Sequence, residues 1–464
     1  MPQLNTANAR SDGTQVFCDD TMLAHTENVW RSLHHPIKHE ANPILEADRP
    51  WEGYVVLQPG TVVYDEHDEL FKMWYNSQPS RDKPDAGYNL CYATSSDGVH
   101  WDKPELGLVK FGQSTANNIL LQDLAWTHCV LKDEAEADLD KRYKLLFWTL
   151  AGDGIHAAFS KDGVHWSLCE DNPVVPKRAT GDTFSVMRDP ATSEYWLYHK
   201  TRTPSRPLRM ISRMVSKDFV HWDPTYRVLA PDAFDPPDTQ FYGLSAFPYA
   251  GQYLGLLWVY HTYPGTLDVQ VVSSRDGMRW ERTADRKLFM HLVPTNEYRG
   301  GAFDGTQIYP VSAPVQKDGR LWLFYSGFSI PHNTLALDQG GRIGLATFRQ
   351  DGFCSLDATS PGYVLTRPFI WDGSQLRLNA ATIGRTSDIC PINNDGITVQ
   401  IEDDQGRIIP GFAAEQCTPF LGDETEALMN WDGHSSLSEL MGRTVQLRIK
   451  IEAANLYSFR VCNR

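Results

Sequence analysis

A phrase of the form Ser-x-Asp-Gly-x-x-Trp repeats along this chain of 464 residues. It occupies positions 95–101, 160–166 and 274–280, and returns in altered form at 216–222 and 349–353. Self-similarity at a spacing of this length indicates a repeat architecture, in which no unit buries its apolar face alone. Five such units in one chain predict a closed ring.

Each repeat contains the same set of strand signals. An apolar strand precedes the Asp-Gly turn, a hairpin with alternating aromatic residues lies upstream (69–75 in the first repeat), and one more short strand precedes that hairpin (60–65). Four antiparallel strands per repeat make a propeller blade. The sequence therefore predicts a five-bladed β-propeller over residues 41–367. The repeated Asp, Gly and Trp are read as structural, because they recur in units that share one active site.

The repeats stop near residue 356, yet strand signals continue to the end of the chain. Segments 376–379, 397–402, 407–412 and 445–451 have their own turns and lack the repeated phrase. We read residues 368–464 as a C-terminal β-sandwich. Residues 1–40 are read as an N-terminal extension that closes onto the propeller. The predicted fold class is all-β, a five-bladed propeller followed by a sandwich.

The charge balance excludes some partners. A formal net charge of −15 argues against nucleic acid and anionic membranes. The chain has no apolar run of 18 residues, and its N-terminus is polar without a signal-peptide core. Eight scattered cysteines without a CxxC motif predict neither a zinc site nor a disulfide framework. We expect a cytoplasmic protein, and the sequence carries no signal for its oligomeric state.

In a propeller the inner strands of all blades begin at one mouth of the central channel, so the residues preceding them converge. Several acids directed into one concave site push their pKa values apart, which provides one acid and one base. Glycoside hydrolysis needs this pairing. The candidate catalytic residues at these strand starts are Glu52, Asp182, Asp238 and Asp304.

Other residues at the same strand starts are candidates for binding substrate. Aromatic rings stack on sugar faces and arginines hold carboxylates or anionic groups. The predicted substrate-binding residues are Trp51, Trp126, His128, Arg202, Tyr242, Glu297 and Arg299. Ca²⁺ held by His128 and the converging acids is an alternative without a supporting spacing motif. We predict no cofactor and no metal site.

The segment 39–45, leading to Pro50-Trp51-Glu52 and then to 71–75, resembles the first blade of the five-bladed propeller glycoside hydrolases. That group contains invertase- and levanase-like family 32, arabinanase-like family 43 and the mannoside phosphorylases of family 130. With its ending at 454–459, nearly the whole chain resembles bacterial proteins labelled as family-32-like N-terminal-domain proteins. The resemblance implies a propeller enzyme that acts on glycosidic bonds.

The chain departs from the family 32 pattern at its catalytic positions. Where that family has an Asp-Pro pair with a nucleophilic Asp, this chain has Gln58-Pro59, so Glu52 is the nearest substitute. Arg188-Asp189-Pro190 resembles the stabiliser motif but falls at the far end of an inner strand, so Asp182 is the better positional match. The family's Glu-Cys acid pair is absent, which leaves Asp238 or Glu297 as the acid.

We therefore expect a glycoside hydrolase that releases terminal sugars from oligo- or polysaccharides. Two alternatives stay open. A phosphorylase or transglycosylase replaces water by phosphate or a sugar hydroxyl. A non-catalytic carbohydrate-binding propeller is favoured by Gln58, which cannot attack an anomeric carbon.

Overall fold

The computed structural model of the protein describes residues 13–79, 87–203, 208–293, 302–332, 334, 340–382 and 396–463, with the side chains of Gln58 and Pro59 left undescribed. The described residues form an all-β fold with five propeller blades and a two-sheet sandwich. Their helices are short 3₁₀ turns: Leu139–Lys141, Lys177–Ala179, Thr283–Arg286 and Ser438–Leu440. In the described residues no helix has the length and apolar character needed to cross a membrane.

The blades follow one another along the chain, and the strands of each are given in chain order; in blade five Gln307–Pro310 and Val315–Lys317 both pair with Arg320–Phe328, which is its second strand. Blade one contains Val55–Asp65, Leu70–Gln78 and Tyr88–Ser95. Blade two contains Ile119–Lys132, Tyr143–Thr149, Gly154–Ser160, Ser167–Leu168 and Val175–Pro176. Blade three contains Phe184–Arg188, Tyr195–Arg202, Arg209–Ser216 and Tyr226–Leu229.

Blades four and five complete the ring. Blade four contains Thr239–Tyr249, Gln252–His261, Thr266–Ser274, Glu281–Arg282 and Leu288–Met290. Blade five contains Gln307–Pro310, Val315–Lys317, Arg320–Phe328 and Arg342–Arg349. Its outer strand is Ile37–Lys38 from the start of the chain, which pairs antiparallel with Arg342–Arg349.

Hydrogen bonds join the inner strands of neighbouring blades all the way round. Each is made by a Ser or Thr hydroxyl or by a backbone amide near the channel. From blade one to blade five and back they are Val130 N to Thr61 Oγ1 (3.1 Å), Thr127 Oγ1 to Asp182 O (2.6 Å), Ser185 Oγ to Leu244 O (2.5 Å), Ser245 Oγ to Pro310 O (3.5 Å) and Ser312 N to Gly60 O (2.9 Å). The ring is closed.

The repeated phrase forms a turn in each blade, as predicted. The turn lies at the end of the blade away from the start of the inner strand. Asp97 Oδ1 accepts hydrogen bonds from the backbone amides of Val99 and His100, both at 2.8 Å, and Asp162 and Asp218 repeat the arrangement. Gly98 and Gly163 follow Asp97 and Asp162 with a positive φ, and at Gly163 an added Cβ would lie 2.7 Å from the Trp74 ring. Packing therefore requires glycine at position 163, whereas Phe219 adopts the same left-handed conformation after Asp218.

The sandwich contains more of the chain than residues 368–464. Two strands that precede residue 368, Cys354–Ala358 and Gly362–Thr366, pair with its sheets. One sheet is built from Thr14–Val16, Trp30–Leu33, Cys354–Ala358, Gln375–Thr382, Asp423–Leu428 and Ala454–Cys462. The other is built from Leu23–Glu27, Gly362–Thr366, Phe369–Ile370, Ile397–Asp403 and Thr444–Ile451. The N-terminal segment thus supplies three sandwich strands before it reaches the propeller.

Candidate functional site

A cavity of about 720 Å³ lies on blade three, at the end where the inner strand begins. The loop before that strand, the end of the second strand and the outer strands all contribute to its wall. The charged residues among them are Lys177, Arg178, Asp182, Lys200, Arg202 and Arg227. Trp148 and Met210 supply apolar wall, and Thr180, Thr201, Ser212 and Thr225 supply hydroxyls.

Asp182 is the predicted catalytic residue that lines this cavity. Its Oδ1 lies 2.7 Å from Lys200 Nζ, and 52% of its side chain is exposed. Burial raises the pKa of Asp182, but the ammonium of Lys200 and the nearby Arg202 guanidinium outweigh this effect and hold the pKa below its usual range. Asp182 is therefore a carboxylate at neutral pH.

Lys200 is a largely buried residue of the cavity wall that binds this carboxylate. Its side chain is 4% exposed, and Nζ lies 3.8 Å from the centroid of the Tyr242 ring. Burial lowers the pKa of Lys200, against the favourable effect of Asp182. A cation held between a carboxylate and an aromatic face is stabilised by both. Tyr242, predicted to contact substrate, is 7% exposed and lies under this ammonium.

Glu52 and Asp304 lie away from the cavity, in buried ion pairs. Glu52 has no exposed surface; it lies 2.8 Å from Lys103 Nζ, and Tyr75 Oη donates to it at 2.6 Å. It also accepts from the backbone amides at positions 48 and 49. With these donors in place the carboxylate has no face free for a substrate.

Asp304 repeats this arrangement in blade five. The side chain is 2% exposed, Lys38 Nζ lies 2.6 Å from Oδ2, and Tyr325 Oη donates to the same oxygen at 2.9 Å. In both blades the acid precedes the inner strand, the Tyr comes from the second strand and the Lys from the outer edge. An arrangement that recurs in two blades is structural for the same reason as the repeated phrase.

Blade four has a related pair, formed by a residue that sequence reasoning passed over. Asp235, with 4% of its side chain exposed, lies 3.1 Å from Arg282 Nη1 on the outer strand. Asp238, the predicted residue of this loop, is half-buried and accepts a hydrogen bond from the backbone amide of Tyr263 at 3.3 Å. Asp238 therefore stays on the rim without a cation partner among the described residues.

In blade three, neutral side chains occupy the place of the acid–Tyr–Lys arrangement seen in blades one and five. His199 Nδ1 lies 3.0 Å from Thr180 Oγ1, and Nε2 lies 2.9 Å from Thr225 Oγ1. Burial lowers the pKa of His199 to about 4, so the ring is neutral at physiological pH. Thr180 takes the place that a paired acid has in the other blades. Asp182, two residues further on, is the carboxylate of this loop that lines the cavity.

The channel mouth itself is filled by side chains. The Trp126 ring lies 5.4 Å from Tyr309 and 6.2 Å from Phe328, measured between centroids. His128 is fully buried, its Nε2 lies 2.9 Å from Trp74 O, and burial lowers its pKa to about 4. His128 thus lies in the core of the ring, whereas Trp126 is half-buried and packs against the aromatic cluster at its edge.

Of the remaining predicted binding residues, one lies in a packed position and one lines the cavity. Trp51 is half-buried and donates to Asn118 Oδ1 at 2.6 Å, whereas Arg202 is exposed and lines the cavity. Glu297 and Arg299 lie outside the described residues. In the described part of the chain, no group of three or more His, Cys, Asp or Glu side chains is arranged to hold a metal ion.

Of the five basic residues of the cavity, only Arg202 was predicted from the sequence. Lys177, Arg178, Lys200 and Arg227 lie on three different stretches of the chain, and no motif joins them. Only the register of the strands brings these cations together.

No family model and no curated protein matches this sequence. Among solved structures, a protein of the GH130 family of mannoside phosphorylases is 13% identical, with coverage of 68% of this chain and 94% of that one and a TM-score of 0.47. A fructofuranosidase from Schwanniomyces occidentalis complexed with fructosylnystose is 11% identical over 92% and 98% of the two chains, with a TM-score of 0.45. An α-L-arabinofuranosidase from Podospora anserina in complex with cellotriose is 13% identical over 67% and 96%, with a TM-score of 0.46. Similarity at these values says nothing of activity.

Proposed function

We propose that this protein is a carbohydrate-active enzyme that cleaves a glycosidic bond in the blade-three cavity, with Asp182 as its catalytic carboxylate. The observation that carries the proposal is the contrast among the four predicted acids. Asp182 lines a cavity and is 52% exposed, whereas Glu52 and Asp304 are enclosed in ion pairs. Catalysis requires a group that reaches the substrate.

The electrostatics of Asp182 determine which role it takes. A carboxylate whose pKa is held below its usual range by Lys200 is ionised at neutral pH. In glycoside hydrolysis the ionised member of the pair attacks the anomeric carbon or activates water. We assign Asp182 to that role rather than to the proton donor.

The proton donor must be a second group, and Asp238 is the residue we propose. It precedes the inner strand of blade four by one residue, as Asp182 precedes the inner strand of blade three by two. It makes no ion pair among the described residues, so its carboxyl is not held by a cation in the way that Lys200 holds Asp182.

The test is sugar release from a panel of aryl glycosides and natural oligosaccharides, measured with and without inorganic phosphate. We expect the wild type to release sugar, and Asp182→Asn to be slower by about 100-fold or more. Asp318→Asn is the matched control, since Asp318 is 75% exposed on a blade-five turn at the opposite end of the ring. If Asp182→Asn turns over substrate as fast as the wild type, Asp182 is not the catalytic carboxylate. Binding without release by the wild type favours the non-catalytic alternative.

A further inference from the structure

The blade-three cavity has the opposite charge to the chain as a whole. The chain has 58 acidic and 43 basic residues, yet this cavity is lined by five Lys and Arg side chains and one Asp. Concave sites with one sign of charge focus the electrostatic potential and concentrate ligands of the other sign. The local excess of positive charge therefore requires an explanation.

Most of these cations have no acid to neutralise them. Lys200 is bound to Asp182, but Lys177, Arg178, Arg202 and Arg227 make no ion pair with a carboxylate in the part of the chain that is described. All four are exposed. Buried or half-buried cations of the other blades, such as Lys103 and Arg282, have carboxylate partners.

The four cations come from both sides of the cavity. Lys177 and Arg178 belong to a 3₁₀ turn before the inner strand, Arg202 ends the second strand, and Arg227 lies on the outer strand. Guanidinium groups bind carboxylate, phosphate and sulfate oxygens through paired hydrogen bonds. An anionic group bound by these four residues would lie beside Asp182, in a cavity whose wall includes the largely buried ring of Trp148.

We propose that the cavity binds an anionic oxygen group, held by Arg202, Arg227, Lys177 and Arg178, so that the saccharide it accepts is acidic. That the ligand is a saccharide rests on the proposed function. That the cavity binds an anion does not depend on it. The same chemistry fits free inorganic phosphate beside a neutral sugar, and the experiment separates these two sources.

The experiment is isothermal titration calorimetry with four probes: a set of hexuronic acids, their methyl esters, inorganic phosphate and inorganic sulfate. The double variant Arg202→Gln/Arg227→Gln is compared with Lys161→Gln/Lys217→Gln, which removes the same charge from exposed turns at the opposite end of the blades. We expect a hexuronate to bind roughly tenfold more tightly than its ester, with an advantage that falls as salt is raised from about 20 to about 300 mM. The cavity variant loses this preference and the control keeps it.

Each outcome decides the matter. If phosphate or sulfate binds, the cavity variant loses that binding, and the esters bind as well as the acids, the anion site holds and its ligand is the free anion. If the cavity variant binds every anion as the wild type does, the proposal is overturned. Asp182→Asn is expected to abolish turnover and keep anion binding, so an anion preference in a protein that never cleaves a glycoside would sink the proposed function alone.

Discussion

Lys200 Nζ lies 2.7 Å from Asp182 Oδ1, so a buried ammonium holds a half-exposed carboxylate at the edge of a cavity. The two residues come from the second strand of blade three and from the loop before its inner strand. Both charged groups thus come from one blade, and Tyr242 of blade four lies against the ammonium. The arrangement fixes one oxygen of Asp182 and leaves the rest of the carboxylate accessible.

Lys200→Met is expected to shift the pH dependence of turnover. In the wild type Lys200 holds the pKa of Asp182 low, so the carboxylate stays ionised in mildly acidic solution. Without Lys200, the raising effect of burial on that pKa is opposed only by Arg202 and a backbone hydrogen bond, so the acidic limb of the kcat/KM profile moves up by about one to three pH units. Lys161→Met, which removes an exposed Lys at the opposite end of the blades, is the control. Superimposable profiles for wild type and Lys200→Met would exclude Asp182 as the ionised catalytic group.

Glu52→Gln and Asp304→Asn are expected to reduce stability without reducing activity per folded molecule. Each leaves a Lys that had been neutralised by a buried carboxylate, a change that costs about 3 kcal/mol. The loss is smaller at Glu52, because Lys103 keeps Asp48 at 2.6 Å. Urea unfolding gives the free energy of unfolding, and turnover is normalised to the folded fraction. A stable but inactive Glu52→Gln would return Glu52 to the catalytic residues.

The sequence predicted what is local and repeated. The five turns, the antiparallel repeat units and the all-β class followed from residues close together in the chain, such as Asp97 and its capped amides. The position of Asp182 at the start of the blade-three inner strand was predicted in the same way. These features depend on short-range turn chemistry and strand alternation.

Features set by long-range pairing could not be predicted. Glu52 and Lys103 are 51 residues apart, and Lys38 reaches Asp304 across 266 positions, so nothing in the local sequence marks either acid as paired. The strand Thr14–Val16 pairs with Ala454–Cys462 at the other end of the chain. Such contacts follow from register and closure, which a pattern of residue types leaves open.

Asp162→Asn is expected to remove part of the pH dependence of stability. Although burial opposes it, hydrogen bonds from the His165 and Val164 amides lower the pKa of Asp162 to about 2. A carboxyl with a folded-state pKa below its unfolded value of about 3.9 stabilises the fold above that value and loses the effect as the pH falls toward 2.

The stability difference between wild type and Asp162→Asn is therefore constant above about pH 5 and shrinks between about pH 4 and 2. Urea unfolding at several pH values measures it, with the exposed Asp171→Asn as control. A difference that stays constant through the acid range would show that the turn does not depend on the charge of Asp162.

The most direct test of the account is a crystal structure of Asp182→Asn with the saccharide that the wild type cleaves. We predict that the sugar occupies the blade-three cavity, with its anomeric carbon about 3–3.5 Å from the substituted side chain at position 182 and its acidic group against Arg202 and Arg227. A saccharide bound at another surface, such as the smaller pocket beside Asp304 and Tyr325 on blade five, would contradict the central claim.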